Sequence, residues 1–216
     1  MTTKEYFKRW KTYLSNPVSR VEFTVTILLL VITVFSFSRY LLFNEARHGA
    51  VLDDPLLKHF NAIDLNPVLF FAIYSSLIIG LVSFSFTPNR LLLAFQTYTL
   101  MVLFRMTAMY LVPLDPPPGC IDLDDPVVFI LGTGQKIIKD LFFSGHTSTA
   151  FMLFQIARNK FLKGYFLIAT ITVGSCVILQ KAHYTIDVFA GLVFSYTSYQ
   201  LVKSFHRKFK SDLKHL

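Results

Sequence analysis

The chain has 216 residues, of which 53 % are hydrophobic, 16 % aromatic and only 16 % charged, with a formal net charge of +8. Soluble domains carry roughly 25 % charged residues, so this composition excludes a disordered chain, a basic nucleic-acid module and an ordinary soluble enzyme. Two cysteines, Cys120 and Cys176, are too few for a disulfide framework.

A bilayer-crossing helix needs about 20 mostly apolar residues. Six such stretches are read in chain order, at 22–43, 68–86, 91–112, 141–157, 163–180 and 185–203. The first begins too late, and lacks the small-residue cleavage site, for a secretory signal. The expected fold is an all-α integral membrane bundle of six transmembrane helices, a single domain over 1–216. Lys and Arg set its orientation. Lys4, Lys8, Arg9, Lys11, Arg20, Arg90, Arg158, Lys160, Lys163, Lys203, Arg207, Lys208, Lys210 and Lys214 fall on one side of that layout, against Arg47, Lys58, Lys136, Lys139 and Lys181 on the other. Both termini, 1–21 and 204–216, are therefore expected to be cytoplasmic. Topology and anionic inner-leaflet lipid account for the positive charge without a nucleic-acid partner.

Acidic residues gather in the first and third outer loops. Asp53-Asp54-Pro55 in the first predicts a short interfacial helix over 53–60. The third outer loop, about 113–140 and between the third and fourth helices, is the longest and contains Pro116-Pro117-Pro118. Its Val127-Val128-Phe129-Ile130-Leu131 run is read as dipping into lipid or covering a site. The chain has no internal repeat and no low-complexity tract.

Polar residues at membrane depth are expensive and mark function. Three groups fall at one depth on the outer side: Arg105, the Ser144-Gly145-His146-Thr147 run, and His183-Tyr184-Thr185-Ile186-Asp187. His183 and Asp187 are four apart, so on a helix they share a face. The carboxylate then fixes one imidazole nitrogen and leaves the other as a nucleophile. Ser144 and Gly145 open a helix, where free N–H groups and the dipole favour phosphate. His146 is placed to protonate a leaving oxygen, and Arg105 to hold two phosphate oxygens. Together these form a phosphoryl-transfer site with no metal and no cofactor. Tyr110, Tyr184 and Thr185 are candidates to orient ligand, with interfacial anchoring as the competing reading for the tyrosines. His48, His59, His206 and His215 are read as solvated surface residues. Two other readings of the histidines are axial ligation of haem and a zinc site of His146, His183 and Asp187. A lipid scramblase or structural membrane protein is the third class.

At these residues the sequence resembles the type 2 phosphatidic acid phosphatase superfamily, most closely its sphingomyelin synthase branch. Arg105-Met-Thr-Ala-Met-Tyr110, running on to Pro118-Gly119, is similar to that branch's arginine motif. Asp140-Leu-Phe-Phe-Ser144-Gly145-His146-Thr147 matches its D-x-x-x-S-G-H-T motif, and His183-Tyr184-Thr185-Ile186-Asp187-Val188 its H-Y-[ST]-x-D-V motif. The resemblance implies the six-span fold and a double displacement through a phosphohistidine on His183. Asp187 would orient His183, and His146 would act as the acid. It implies a phospholipid donor and a ceramide or diacylglycerol acceptor as partners, with hydrolysis by water as the alternative. Two cations of the phosphatase branch are absent, with Tyr98 and Val177 at their positions. That favours a phosphodiester monoanion over a phosphomonoester dianion. Where the branch often has Cys-Gly before the motif's Asp, Ile138-Lys139 stands here, and Lys139 offers an extra positive charge.

Overall fold

Hydrophobic length dictates most of the architecture. In the computed structural model, which describes residues 2–126, 129 and 134–212 with side chains through Lys208, helices form at all six apolar stretches. They are α2 (Pro17–Glu45), α3 (Asn66–Ser85), α4 (Pro88–Leu111), α5 (Gly145–Ile156), α6 (Lys160–Leu179) and α7 (Thr185–Asp212), preceded by α1 (Thr3–Ser15). Among the described residues there is no β-strand, only one parallel bridge between Ala50 and Leu114.

Four helices, α2, α3, α4 and α6, are long and apolar enough to cross a membrane. Their outward faces expose residues such as Leu28, Ile32, Phe71, Ile78 and Ile168, as a lipid-facing surface would. The other two expected spans differ. With 12 residues, α5 rises only about 18 Å, well short of a hydrocarbon core of about 30 Å. In α7, the polar Ser195-Tyr196-Thr197-Ser198-Tyr199-Gln200 run dilutes the apolar character.

The short α5 is the centre of the bundle. It packs on α6 and α7 and touches α3 and α4. Eight of its residues, from Gly145 to Ile156, are buried. Close approach comes from small residues, as in membrane bundles where lipid removes the hydrophobic drive between helices. A Cβ on Gly191 of α7 would lie 2.9 Å from the Ser144 carbonyl oxygen.

α1 is not foreshadowed by hydropathy, because its charged face lowers the mean. It is an amphipathic helix started by a Thr2–Glu5 capping box. It ends at Asn16-Pro17, where Asn16 caps α2 instead. Trp10 Nε1 donates to the Ser85 carbonyl at 2.9 Å, docking α1 on the end of α3. At the same end His206 departs from the solvated reading. Its Nε2 lies 2.5 Å from Gln96 Oε1 and 3.7 Å from Glu22. His48 and His59 are exposed, as expected, and His215 lies outside the described residues.

The opposite end is built by loops. The expected interfacial helix is a single 3₁₀ turn, Leu56–His59, in which Asp54 accepts from the Leu56 and Leu57 amides. Asp54 also takes the Thr185 amide at 2.7 Å and the Thr185 hydroxyl at 3.1 Å, so it caps α7 from a distant loop. Tyr184, 1 % exposed, donates to the Asp115 carbonyl and accepts from the Leu52 amide. Asn44 and Glu45, ending α2, hold the backbone at 138–139. In the 127–131 run only Phe129 falls within the described residues.

Two carboxyls at this end sit below their ordinary values. Burial raises that of Asp54, but the hydrogen bonds from Thr185, Leu56 and Leu57 outweigh it. Asp115 is lowered chiefly by the Lys139 ammonium, 2.8 Å away. Each therefore stabilises the fold in full above about pH 4, and the contribution is lost as pH falls through the depressed folded value. Thermal unfolding in detergent should lose midpoint steadily from pH 5 to pH 3, and Lys139→Met should flatten that loss. Asp54→Ala should cost about 1–2 kcal/mol at neutral pH, as lost helix caps do, read from the same melts.

Candidate functional site

His183 and Asp187 form the first half of the site. His183 lies in the turn before α7, not on the helix, so the pair meets through capping and not through a shared helical face. Asp187, on the first turn of α7, turns its Oδ2 back to accept from the Tyr184 amide at 3.3 Å and to hold His183 Nδ1 at 3.1 Å. His183 is 2 % and Asp187 0 % exposed. With Nδ1 engaged, Nε2 is the nitrogen left for chemistry.

His146 is the second residue of α5. Its Nε2 lies 2.9 Å from Oδ2 of Asp125. Asp125 Oδ1 in turn accepts from the Tyr74 hydroxyl at 2.5 Å. His146 thus has its own carboxylate, supplied by the long loop, which sequence reasoning missed. Asp125 sits 21 residues before His146 among other loop acids. No spacing rule joins a loop carboxylate to a helix that far along the chain.

Both histidines open on one cavity of about 370 Å³, walled by the loop between α4 and α5. Its other charged lining is Asp122, Asp124, Asp125, Lys136 and Asp140. Lys136 is paired with Asp122 at 2.9 Å and Asp124 at 3.0 Å. That volume lies at the small end of the range of ligand pockets.

Arg105 is brought to the site from behind. It is 8 % exposed on α4, and its guanidinium packs over Phe37 with the carbon 5.4 Å from the ring centroid. Nη2 lies 2.8 Å from Asp140 Oδ1, an ion pair off the hydrogen-bond direction. Gly145 is required here, because a Cβ at that position would overlap the guanidinium. Ser144 is buried and caps α5, its Oγ 3.0 Å from Thr147 Oγ1, and it does not line the cavity.

Two expected ligand residues lie elsewhere. Tyr110 is 59 % exposed, with Arg47 stacked 5.1 Å over its ring. Lys139 donates to the Arg47 carbonyl at 2.6 Å and pairs with Asp115, so it pins loops together away from the cavity. Tyr184 and Thr185 are likewise engaged with loop partners. His183 and His146 each give one ring nitrogen to a different carboxylate, Asp187 and Asp125. Among the described residues no group of three or more metal-binding side chains converges.

Residues 139–204 match the family model described as PAP2 superfamily C-terminal. The matched segment takes in His146, His183 and Asp187, and leaves Arg105 and Asp125 outside. No curated protein and no solved structure matches the chain. The match supports placement in the PAP2 superfamily, the type 2 phosphatidic acid phosphatases of the sequence resemblance. Members of that superfamily are phosphohydrolases and phosphotransferases.

Gly145→Ala tests the Arg105 contact. The added methyl should displace the guanidinium without unfolding the helix, and small misplacements at a reacting centre cost about a hundredfold. The expected outcome is that loss in turnover with an unchanged melting midpoint.

Proposed function

We propose that the protein is a multi-pass membrane lipid phosphotransferase of the sphingomyelin synthase type, with its site on the non-cytoplasmic face. The observation supporting this reading is the convergence of His183 and His146, each with its own carboxylate, on one cavity. Nε2 of His183 attacks phosphorus. The bond from phosphorus to the diacylglycerol oxygen breaks, and His146 gives its proton to that oxygen. Diacylglycerol leaves, and the phosphoryl-headgroup stays on His183. An acceptor hydroxyl, of a ceramide or a diacylglycerol, then loses its proton to His146 and attacks phosphorus. The P–N bond breaks, and both histidines return to their starting states.

The carboxylates in the wall speak to the donor. Asp122, Asp124, Asp125 and Asp140 outnumber Lys136 on the cavity wall, which disfavours a phosphomonoester dianion, whereas a phosphodiester with a cationic headgroup brings one negative charge and its own balancing positive one. Hydrolysis by water uses the same residues and is the second reading.

The test is a two-lipid assay on purified protein in detergent. Headgroup-labelled phospholipid is supplied with and without ceramide or diacylglycerol, to the parent and to His183→Ala. Label should move to the acceptor lipid in the parent and fall by at least about a thousandfold in the variant, the scale of losing an activated nucleophile. Water-soluble label alone, dependent on His183, would make the enzyme a hydrolase. Neither product, with a Soret band in the visible spectrum, would replace the reading with haem binding.

A further inference from the structure

Resting on that reading, we propose that Tyr74 of α3 is a positioning residue for the proton-donating histidine, holding the loop carboxylate Asp125 where His146 needs it. His146 is fixed at the start of α5, whereas Asp125 lies between α4 and α5, its backbone bonded locally, its amide donating to the Leu123 carbonyl at 2.9 Å and its carbonyl accepting from the Phe129 amide at 3.0 Å. A carboxylate on a loop has backbone and rotamer freedom that a helix residue lacks. Tyr74 narrows the rotamer freedom of that carboxylate by donating its hydroxyl to Asp125 Oδ1 at 2.5 Å, while Asp125 Oδ2 faces His146 Nε2 at 2.9 Å.

The neighbouring residue on the same face completes the template. Phe70 and Tyr74 are one helical turn apart. Their rings stack with centroids 5.8 Å apart and planes within 16°. The Phe70 ring then meets the His146 imidazole edge-on at 6.2 Å. One rigid helix therefore touches both partners of the pair, the imidazole through Phe70 and the carboxylate through Tyr74. A second hydroxyl contact nearby, Ser75 to Tyr165 at 2.7 Å, links α3 to α6 without reaching the histidines and serves as the comparison.

The experiment uses the full chain in detergent with ring-¹⁵N histidine, the His146 signals being identified by their disappearance in His146→Gln. Tyr74→Phe keeps the stack on Phe70 and removes only the hydroxyl. The His146 Nε2 resonance should move toward its position in Asp125→Asn. In the two-lipid assay kcat should fall about tenfold, within the range lost when a reacting group is misaligned, with KM within twofold. The double variant should be no slower than Asp125→Asn alone, the signature of two residues acting as one unit. Tyr165→Phe should leave both readouts unchanged. An unmoved resonance in Tyr74→Phe, losses that simply add in the double variant, or an equal loss in Tyr165→Phe would each overturn the assignment. If the resonance moves but the parent makes neither lipid product, the positioning stands and the phosphotransfer reading fails. If products form and depend on His183 while Tyr74→Phe is silent, the positioning alone fails.

Discussion

A single carboxylate oxygen, Oδ2 of Asp187, starts a helix and aims a histidine at once. Asp187 is fully buried, and a buried carboxylate is costly unless it is hydrogen-bonded or paired. The Tyr184 amide and His183 Nδ1 supply those bonds, so α7 cannot begin where it does without also orienting His183. The rest of the site hangs from that point. The Tyr184 hydroxyl bridges the loops at Leu52 and Asp115, and Asp54 caps Thr185. The Ser144 amide donates to the Asp187 carbonyl, and Gly191 lets α7 lie against Ser144. The start of α5, and His146 with it, is therefore registered against the start of α7.

The two histidine–carboxylate pairs are built differently, and the difference suits different tasks. Asp187 belongs to a helix turn and reaches a histidine four residues away. That arrangement has few ways to relax, which on the phosphotransfer reading suits a nucleophile that must meet phosphorus along one line. Asp125 comes from the segment between α4 and α5, and its carboxylate meets Tyr74 and His146 across to other elements. On the phosphotransfer reading, His146 delivers a proton to one lipid oxygen and later takes one from another, so its partner must tolerate a small shift between two half-reactions. A carboxylate held through a tyrosine hydroxyl can follow such a shift more easily than one locked into a helix cap.

How far the sequence discloses this follows from what sequence periodicity encodes. Runs of apolar residues set the six bundle helices, because only length and hydropathy are needed to form them. That His183 and Asp187 pair, and that His146 opens a helix, was legible from their closeness in sequence, although the pair meets through a helix cap and not a shared helical face. The span count was less legible, since α5 is buried by its neighbours and not by lipid, and an apolar run looks the same in both settings. α1 was hidden by its own charges, although Thr2 with Glu5 and the aromatic spacing of Tyr6, Trp10 and Tyr13 carry its signal. Asp125 and Tyr74 were not legible at all. Their contact joins positions 51 residues apart, through a loop whose path depends on Lys136, Lys139 and the end of α2. Tyr110 and Lys139 failed as ligand candidates for the converse reason: neighbours in sequence to a motif, they point to other partners.

The least expected feature is that Arg105 reaches the site already neutralised. Its ion pair with Asp140 places a carboxylate, not a bare guanidinium, on the cavity wall. On the phosphotransfer reading, a phosphate held by Arg105 exchanges with Asp140 and does not simply add to the site's charge. That exchange gives back one ion pair for another, and in a low-dielectric setting its balance depends on what becomes of the displaced carboxylate. A substrate carrying its own cation can take up that carboxylate as it releases Arg105, and so leaves every charge paired. An anionic headgroup leaves Asp140 unpaired on the cavity wall. On the phosphotransfer reading, discrimination among donors therefore lies less in the strength of phosphate binding than in which substrate can occupy the cavity without stranding a buried charge.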